Sequence, residues 1–265
     1  MPGGPPGNGV RQSTVAIPPS LARATCVFIH SGMPASQTAE THPRRFGWFR
    51  FVLLVLVLAG IALVLRQGWL PAGFNPLPAL DLSQPNPWFV DWRLAALKRD
   101  PGLCRSVLVG PHIDATPIPD NPIRQGCGWT NSVRISSAGG VRASFEQATC
   151  EAAAALALWL RHDVQPLAQE ILGRRVVSIE TLGSYACRNI VGNPLWKNIR
   201  SEHATANALD VSAFVLAGGR RISVADHWSG SGSEARFLQA AHGRACHYFH
   251  VVLGPDYNAA HRNHF

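Results

Sequence analysis

The most continuous apolar stretch in the chain runs from Phe51 to Leu65, 15 residues without a charged or polar side chain. Arg50 and Arg66 bracket it, and Phe46, Trp48, Trp69 and Leu70 extend its aromatic and apolar ends. Taken over 46–70, this is long enough to span a bilayer, with the two arginines snorkelling. Arg44, Arg45 and Arg50 before the run outweigh Arg66 after it. The positive-inside rule then puts the N-terminus in the cytoplasm and everything after residue 70 outside. No small-x-small cleavage pattern follows the run, so it reads as an uncleaved, single-pass signal anchor in an inner membrane, with its folded lobe in the periplasm. Ahead of it, residues 1–45 are rich in Pro, Gly, Ser and Thr with no apolar period, a disordered composition. Met33 is an alternative start within that segment. Behind it, Pro71, Pro76, Pro78, Pro85 and Pro87 make 71–87 a semi-stiff linker.

Residues 88–265 carry the patterns of a folded domain. Trp88, Leu94, Ala95 and Leu97 space out a short amphipathic helix that ends before Pro101-Gly102. Residues 111–130 read as loop, with Pro117, Pro119, Pro122 and Gly126-Cys127-Gly128, followed by a brief strand around Val133 and Ile135. Thr149 caps a long helix that is apolar all round from Cys150 to Leu160, hence buried, and that Pro166 kinks before Leu172-Gly173. Val176 to Glu180 is the clearest strand. Val211 to Leu216 and Arg221 to Val224 flank Gly218-Gly219 as a hairpin. Residues 233–243 are helical, and Tyr248 to Leu253 reads as a final strand. Strands gathered around one long helix, without strand–helix alternation, predict an α+β domain with a mainly antiparallel sheet.

Composition narrows the function. Apolar residues make up 46 % of the 265, enough for a sizeable core, and the net charge is +8. Only Lys98 and Lys197 are lysines, and the arginines are scattered. No basic run interleaved with aromatics occurs after position 66, which excludes the usual nucleic-acid footprint. Of the six cysteines, Cys26 precedes the apolar run. Cys104, Cys127, Cys150, Cys187 and Cys246 fall on the outer side, where disulfides persist. Five is odd, and the pairing among Cys104, Cys127 and Cys150 is open. No Cys-x-x-Cys spacing favours a zinc–thiolate site.

The candidate chemistry lies in Ser201-Glu202-His203-Ala204-Thr205-Ala206-Asn207-Ala208-Leu209-Asp210. An imidazole and a carboxylate seven positions apart suit zinc better than calcium or magnesium. Extended, they lie roughly 23 Å apart, and on a helix roughly 10 Å. The segment therefore has to fold back on itself, and Ala204, Ala206 and Ala208 leave room for the reversal.

That stretch resembles the Ser-x-His-x-x-Gly-x-Ala-x-Asp signature of zinc D,D-peptidases, the lysostaphin, D-Ala-D-Ala peptidase and hedgehog group. Together with Gly183, Tyr185, Cys187 and Arg188, and with Leu253-Gly254-Pro255-Asp256-Tyr257-Asn258-Ala259-Ala260-His261, it resembles the bacterial extensin-like C-terminal domain family over about residues 100–265. The resemblance implies a hedgehog-like or D,D-peptidase-like fold, with Zn2+ held by His203 and Asp210. Arg188 would bind a substrate carboxylate or an oxyanion, and His264 would act near the oxyanion. The third ligand would fall at position 266 and the proton-accepting carboxylate at 263, which is Asn263 here. His261 is a substitute ligand. The resemblance also implies a Cys187–Cys246 bridge. Ser201 reads as a cap near His203, Tyr185 as a half-buried structural residue and Asp256 as a turn former. Two functions follow: a membrane-anchored zinc peptidase acting on peptidoglycan peptides, or a non-catalytic envelope-binding domain that keeps the peptidase fold. No Ser-Pro-Pro-Pro repeats occur, so a fibrous wall protein is not indicated.

Overall fold

A computed structural model describes residues 48–66, 80–85 and 90–265. The expected disordered segment and most of the expected linker lie outside these residues. The apolar run forms α1 (Trp48–Arg66), with Phe51, Leu54, Leu56 and Leu58 all exposed. Among the described residues, no helix is long and apolar enough to cross a membrane.

The lobe is built on a six-stranded sheet with a helical layer on one face. Two short helices come first, α2 (Val90–Arg99) and α3 (Pro101–Leu108). Only α2 was legible as a helix. Pro101 does stop it, but then serves as the first residue of α3, where a missing N–H costs nothing. Asp100 caps that helix by accepting from the amides of Gly102 and Leu103.

The expected loop 111–130 holds three strands, β1 (Ile113–Pro117), β2 (Asn121–Arg124) and β3 (Cys127–Trp129). β1 is an edge strand and β2–β3 a separate two-stranded ribbon. Edges tolerate proline, which is why prolines hid them.

β4 (Ser132–Ala138) pairs antiparallel with β5 (Val141–Thr149), whose Val141, Ala143 and Phe145 alternate inward. The chain then enters α4 (Cys150–Trp159), a π turn over Leu160–Val164, and α5 (Gln165–Leu172). Thr149 Oγ1 accepts from the Ala152 amide as the cap, and Gly173 closes the helix at φ 67°. The break ahead of Pro166 takes the form of that π turn, which absorbs the missing donor without ending the helix. Nine of the ten α4 residues are buried, as an all-round apolar helix requires.

This helical crossover makes β6 (Val176–Gly183) parallel to β5, the one parallel pairing in a sheet of order β1-β4-β5-β6-β7-β8. β7 (Asp210–Leu216) and β8 (Arg221–Ser223) form the expected hairpin at the far edge. A short helix α6 (Val224–His227) and α7 (Ser233–Ala245) complete the helical layer. The core runs between layers through Phe145, Leu156, Trp159, Phe214, Phe237 and Phe265, and it also takes in Leu80 and Leu82.

Two further expectations are overturned. Tyr248–Leu253 is not a strand, because the start of β7 is already paired. The Val211 amide donates to the Phe265 carbonyl at 2.7 Å, and the Phe265 amide donates back at 3.0 Å. The bridge expected between Cys187 and Cys246 does not form either. Cys187 pairs with Cys127, and Cys104 with Cys150. The Cys127–Cys187 pairing is tertiary: it fastens the β2–β3 ribbon to the loop after β6, a contact no spacing reveals.

Candidate functional site

The end of the sheet where β6 stops and β7 starts gathers the predicted residues. Gly183, at φ 115°, pairs with Asp210 and turns the chain out of the sheet. The loop that follows runs beside the 201–206 turn. The Ala186 amide donates to the His203 carbonyl at 3.0 Å, and the Ser201 amide to the Arg188 carbonyl at 3.1 Å.

The reversal that the His203–Asp210 spacing demanded is a 3-10 turn, Glu202–Thr205, ended by Ala206 in the left-handed conformation at φ 54°. A glycine would meet no penalty at that position, whereas Ala206 adopts a conformation that L side chains rarely take. Ser201 Oγ accepts from the His203 amide at 3.4 Å, the capping role expected of it. The turn is locked to the head of α4. The Thr149 amide donates to the Ala206 carbonyl at 2.9 Å, and Thr149 Oγ1 to Asn207 Oδ1 at 2.7 Å. Asn207 Nδ2 in turn donates to Glu202 at 2.8 Å.

His203 and Asp210, remote along the chain, meet side by side: Nε2 lies 3.2 Å from Asp210 Oδ1, with side chains 13 % and 19 % exposed. His264 reaches the same oxygen, its Nε2 at 3.7 Å. Antiparallel pairing explains this. Val211 and Phe265 are partners that point into the core, so their neighbours Asp210 and His264 share the opposite face. Both imidazoles are oriented through Nδ1. The Ser184 carbonyl accepts from His203 Nδ1 at 3.1 Å, and Asn263 Oδ1 accepts from His264 Nδ1 at 2.9 Å. Ser184 itself is buried and donates its hydroxyl to the Gln147 carbonyl. Sequence reasoning did not find Ser184, and a backbone carbonyl carries no sequence signal.

His261 stands next in the row, its ring 5.2 Å from that of His264 and its Nδ1 2.8 Å from Asn258 Oδ1. Burial pushes the imidazoles of both His261 and His264 below their ordinary value. Arg188 adds to the depression of both, so its guanidinium is part of the same electrostatic neighbourhood. Among the described residues the Arg188 side chain has no carboxylate partner. Tyr185 lies edge-on to Trp129 at 4.8 Å, a packing role. Asp256 accepts from Trp228 Nε1 at 2.9 Å, so it anchors the Gly254–Tyr257 turn as well as forming it. Among the described residues, no group of three or more His, Cys, Asp or Glu is placed so that it could hold a metal ion. A cavity of about 320 Å³ opens near Lys98, Arg105, Asp120 and Asn131 and shares no residue with this cluster.

Behind the site, His242 packs edge-on to Trp228 and Phe265, and its Nε2 is buried without a hydrogen-bond partner among the described residues. Burial holds its pKa below 6.5, with Asp256 and the Leu253 backbone opposing. The fold therefore prefers the neutral ring. The stability it contributes is fully present above about pH 6.5 and is lost as the pH falls through the folded-state pKa. Thermal melts from pH 7.5 to 5 should show a falling midpoint, and His242→Phe should flatten that fall. An equally steep fall in the variant would remove His242 as its source.

No curated protein and no solved structure matches the chain. The family model for the extensin-like protein C-terminus matches residues 102–265, which include the whole cluster and more than half of the sequence. The chain belongs to the extensin-like C-terminal family.

Proposed function

We propose that this is a membrane-anchored, periplasm-facing lobe with a divalent-cation site at His203 and Asp210, acting as a zinc-dependent hydrolase on cell-wall peptides. The observation that carries the reading is the meeting of His203 Nε2 and Asp210 Oδ1 at 3.2 Å in the electrostatic neighbourhood of the Arg188 guanidinium, which has no carboxylate partner among the described residues. The donors suit zinc. With metal–ligand distances of 2.0–2.2 Å, neighbouring tetrahedral ligands lie roughly 3.3–3.5 Å apart. The Ser184 carbonyl fixes the His203 ring through Nδ1, so Nε2 is the atom left to face the cation. Bound there, zinc would polarise a carbonyl and lower the pKa of a water.

The chain's own groups supply the rest. Arg188, with five donors in a rigid fork, would hold a substrate carboxylate or a developing oxyanion. Asn263 cannot accept a proton as a carboxylate does, and its Oδ1 is already engaged by His264. The neutral His261, held at Nδ1 by Asn258, leaves Nε2 as the proton-accepting atom. Anchoring is supported by the exposed apolar surface of α1 and the arginines that precede it.

Asn263 also favours a second reading, a wall-binding lobe without turnover. The full chain, loaded with zinc, is incubated with peptidoglycan-derived peptides, and the products are read by mass spectrometry. Cleavage that disappears in His203→Ala supports the hydrolase. Retention on isolated cell wall with no product, unchanged in His203→Ala, supports the binding domain and removes the hydrolase. Extraction of the anchored protein from membranes by alkaline carbonate would remove the anchor.

A further inference from the structure

We infer that the cavity where α2, α3 and the turn between β3 and β4 meet is a binding site for a small phosphate monoester that carries hydroxyl groups, of the glycerol phosphate and sugar phosphate class. It shares no residue with the His203 cluster, so it stands or falls apart from the hydrolase reading.

Lys98 and Arg99 from the end of α2 and Arg105 from α3 line this cavity, and among the described residues Asp120 is the only carboxylate there. Among the same residues, none of the three cations has a carboxylate within ion-pair reach. Asp120 already accepts from the Asn131 amide at 2.8 Å. The cavity is left with a surplus of two positive charges. A phosphate monoester carries about −1.5 to −2 at pH 7 and matches that surplus, which a single carboxylate does not. The planar forks of Arg99 and Arg105 suit pairs of phosphate oxygens, and Lys98 adds a point charge. Backbone amides at the start of α3 do not contribute, because Asp100 already takes those of Gly102 and Leu103.

The rest of the wall selects what the phosphate is attached to. Asp120 and Thr130 offer acceptors for hydroxyl protons, while Cys104, Ile118 and Val133 give an apolar floor for a carbon skeleton. A volume of about 320 Å³ lies at the small end of the range for small-molecule sites, which suits a short polyol rather than a polymer. The walls are fixed in advance. Cys104 is bonded to Cys150. Asn131 Nδ2 donates to the Leu97 carbonyl at 2.6 Å, and the Asn131 carbonyl accepts from the Cys150 amide at 3.2 Å. These bonds tie the end of α2, the turn before β4 and the head of α4 into one frame, so little ordering has to accompany binding.

The test is calorimetric titration of the full chain in detergent at about 0.15 M salt. The probes are glycerol 3-phosphate, inorganic phosphate and glycerol, with dihexanoyl phosphatidate as the lipid-headgroup arm. Wild type should bind glycerol 3-phosphate saturably and at least about 10-fold more tightly than inorganic phosphate, and should not bind glycerol. Arg99→Gln and Arg105→Gln should each weaken the ester by at least about 10-fold, the usual effect of losing a hydrogen bond to a charged group. Arg142→Gln, an exposed change outside the cavity, should match wild type. Asp120→Asn keeps an acceptor for the Asn131 amide, and it should tighten inorganic phosphate while narrowing the preference for the ester. Melting curves of the variants are compared first, so that a folding defect is not mistaken for a lost contact. If wild type shows no saturable binding, or if both arginine variants bind the ester as wild type does, the cavity is not the site. If inorganic phosphate binds as tightly as the ester, hydroxyl recognition is wrong. Binding of phosphatidate without the soluble ester would make the source a lipid headgroup and overturn the free ester.

Discussion

Phe265→Ala is expected to lower the unfolding free energy by about 3–5 kcal/mol, the usual cost of emptying a buried phenylalanine site. Phe265 is 8 % exposed and meets Trp159, Phe214, Trp228 and His242 at ring separations of 5.2–6.3 Å. Those rings come from α4, β7, the segment after α6, and α7, so one side chain joins the sheet to three parts of the helical layer. The same residue also sets the site. Its main chain makes both hydrogen bonds to Val211 that carry His264 to Asp210. Loss of the aromatic anchor should therefore weaken cation binding along with stability. Phe265→Leu, which keeps most of the volume, should cost less than about 1.5 kcal/mol and leave binding near wild type. Denaturant unfolding and metal competition on both variants decide the matter. A Phe265→Ala chain as stable as wild type would mean that this aromatic cluster is not the core it looks to be.

The second large effect is expected from the Cys104–Cys150 disulfide. It joins α3 to the first turn of α4 across 46 residues, and Cys150 is 0 % exposed. Closing a loop of that length removes denatured-state entropy worth about 4 kcal/mol in the chain-entropy account. The double variant Cys104→Ser, Cys150→Ser also places two hydroxyls in an apolar core, so Ala at both positions is the cleaner comparison. With Ala, a loss of about 2–5 kcal/mol is expected in chemical denaturation. Cation affinity should change little, because neither cysteine touches the His203 turn. The Cys127–Cys187 pair behaves oppositely in this account. Cys187 is exposed and precedes Arg188 directly, so its loss should loosen the Arg188 loop more than the core.

How far the fold was legible follows from where each element takes its information. The helix from Cys150 to Leu172 could be read because its cap, its apolar character and its proline are all local. The β7–β8 hairpin was readable for the same reason, with two glycines between two apolar runs. β5 was missed although its signal is local: Val141, Ala143 and Phe145 alternate with Arg142, Ser144 and Glu146 in both polarity and burial. Tyr248–Leu253 misled in the other direction. Its β-branched and aromatic residues favour a strand, yet the start of β7 takes Phe265 as its partner instead. Propensity lost to tertiary competition there.

The site divides in the same way. The spacing of His203 and Asp210 said only that sharing one cation would require a reversal, and the left-handed Ala206 is where the chain reverses. The approach of His264 to Asp210 was not readable from spacing, because it depends on the register of a single residue pair at the sheet end; only the family resemblance put His264 near the site. Nor was the orienting role of Ser184, which acts through its carbonyl.

The most direct measurement is metal content. The full chain is loaded with zinc, dialysed, and assayed by elemental mass spectrometry beside Asp210→Asn, a change that keeps the shape of the side chain and removes its charge. The account predicts one zinc per wild-type chain and essentially none in the variant. Equal zinc in both proteins, or none in either, would contradict it.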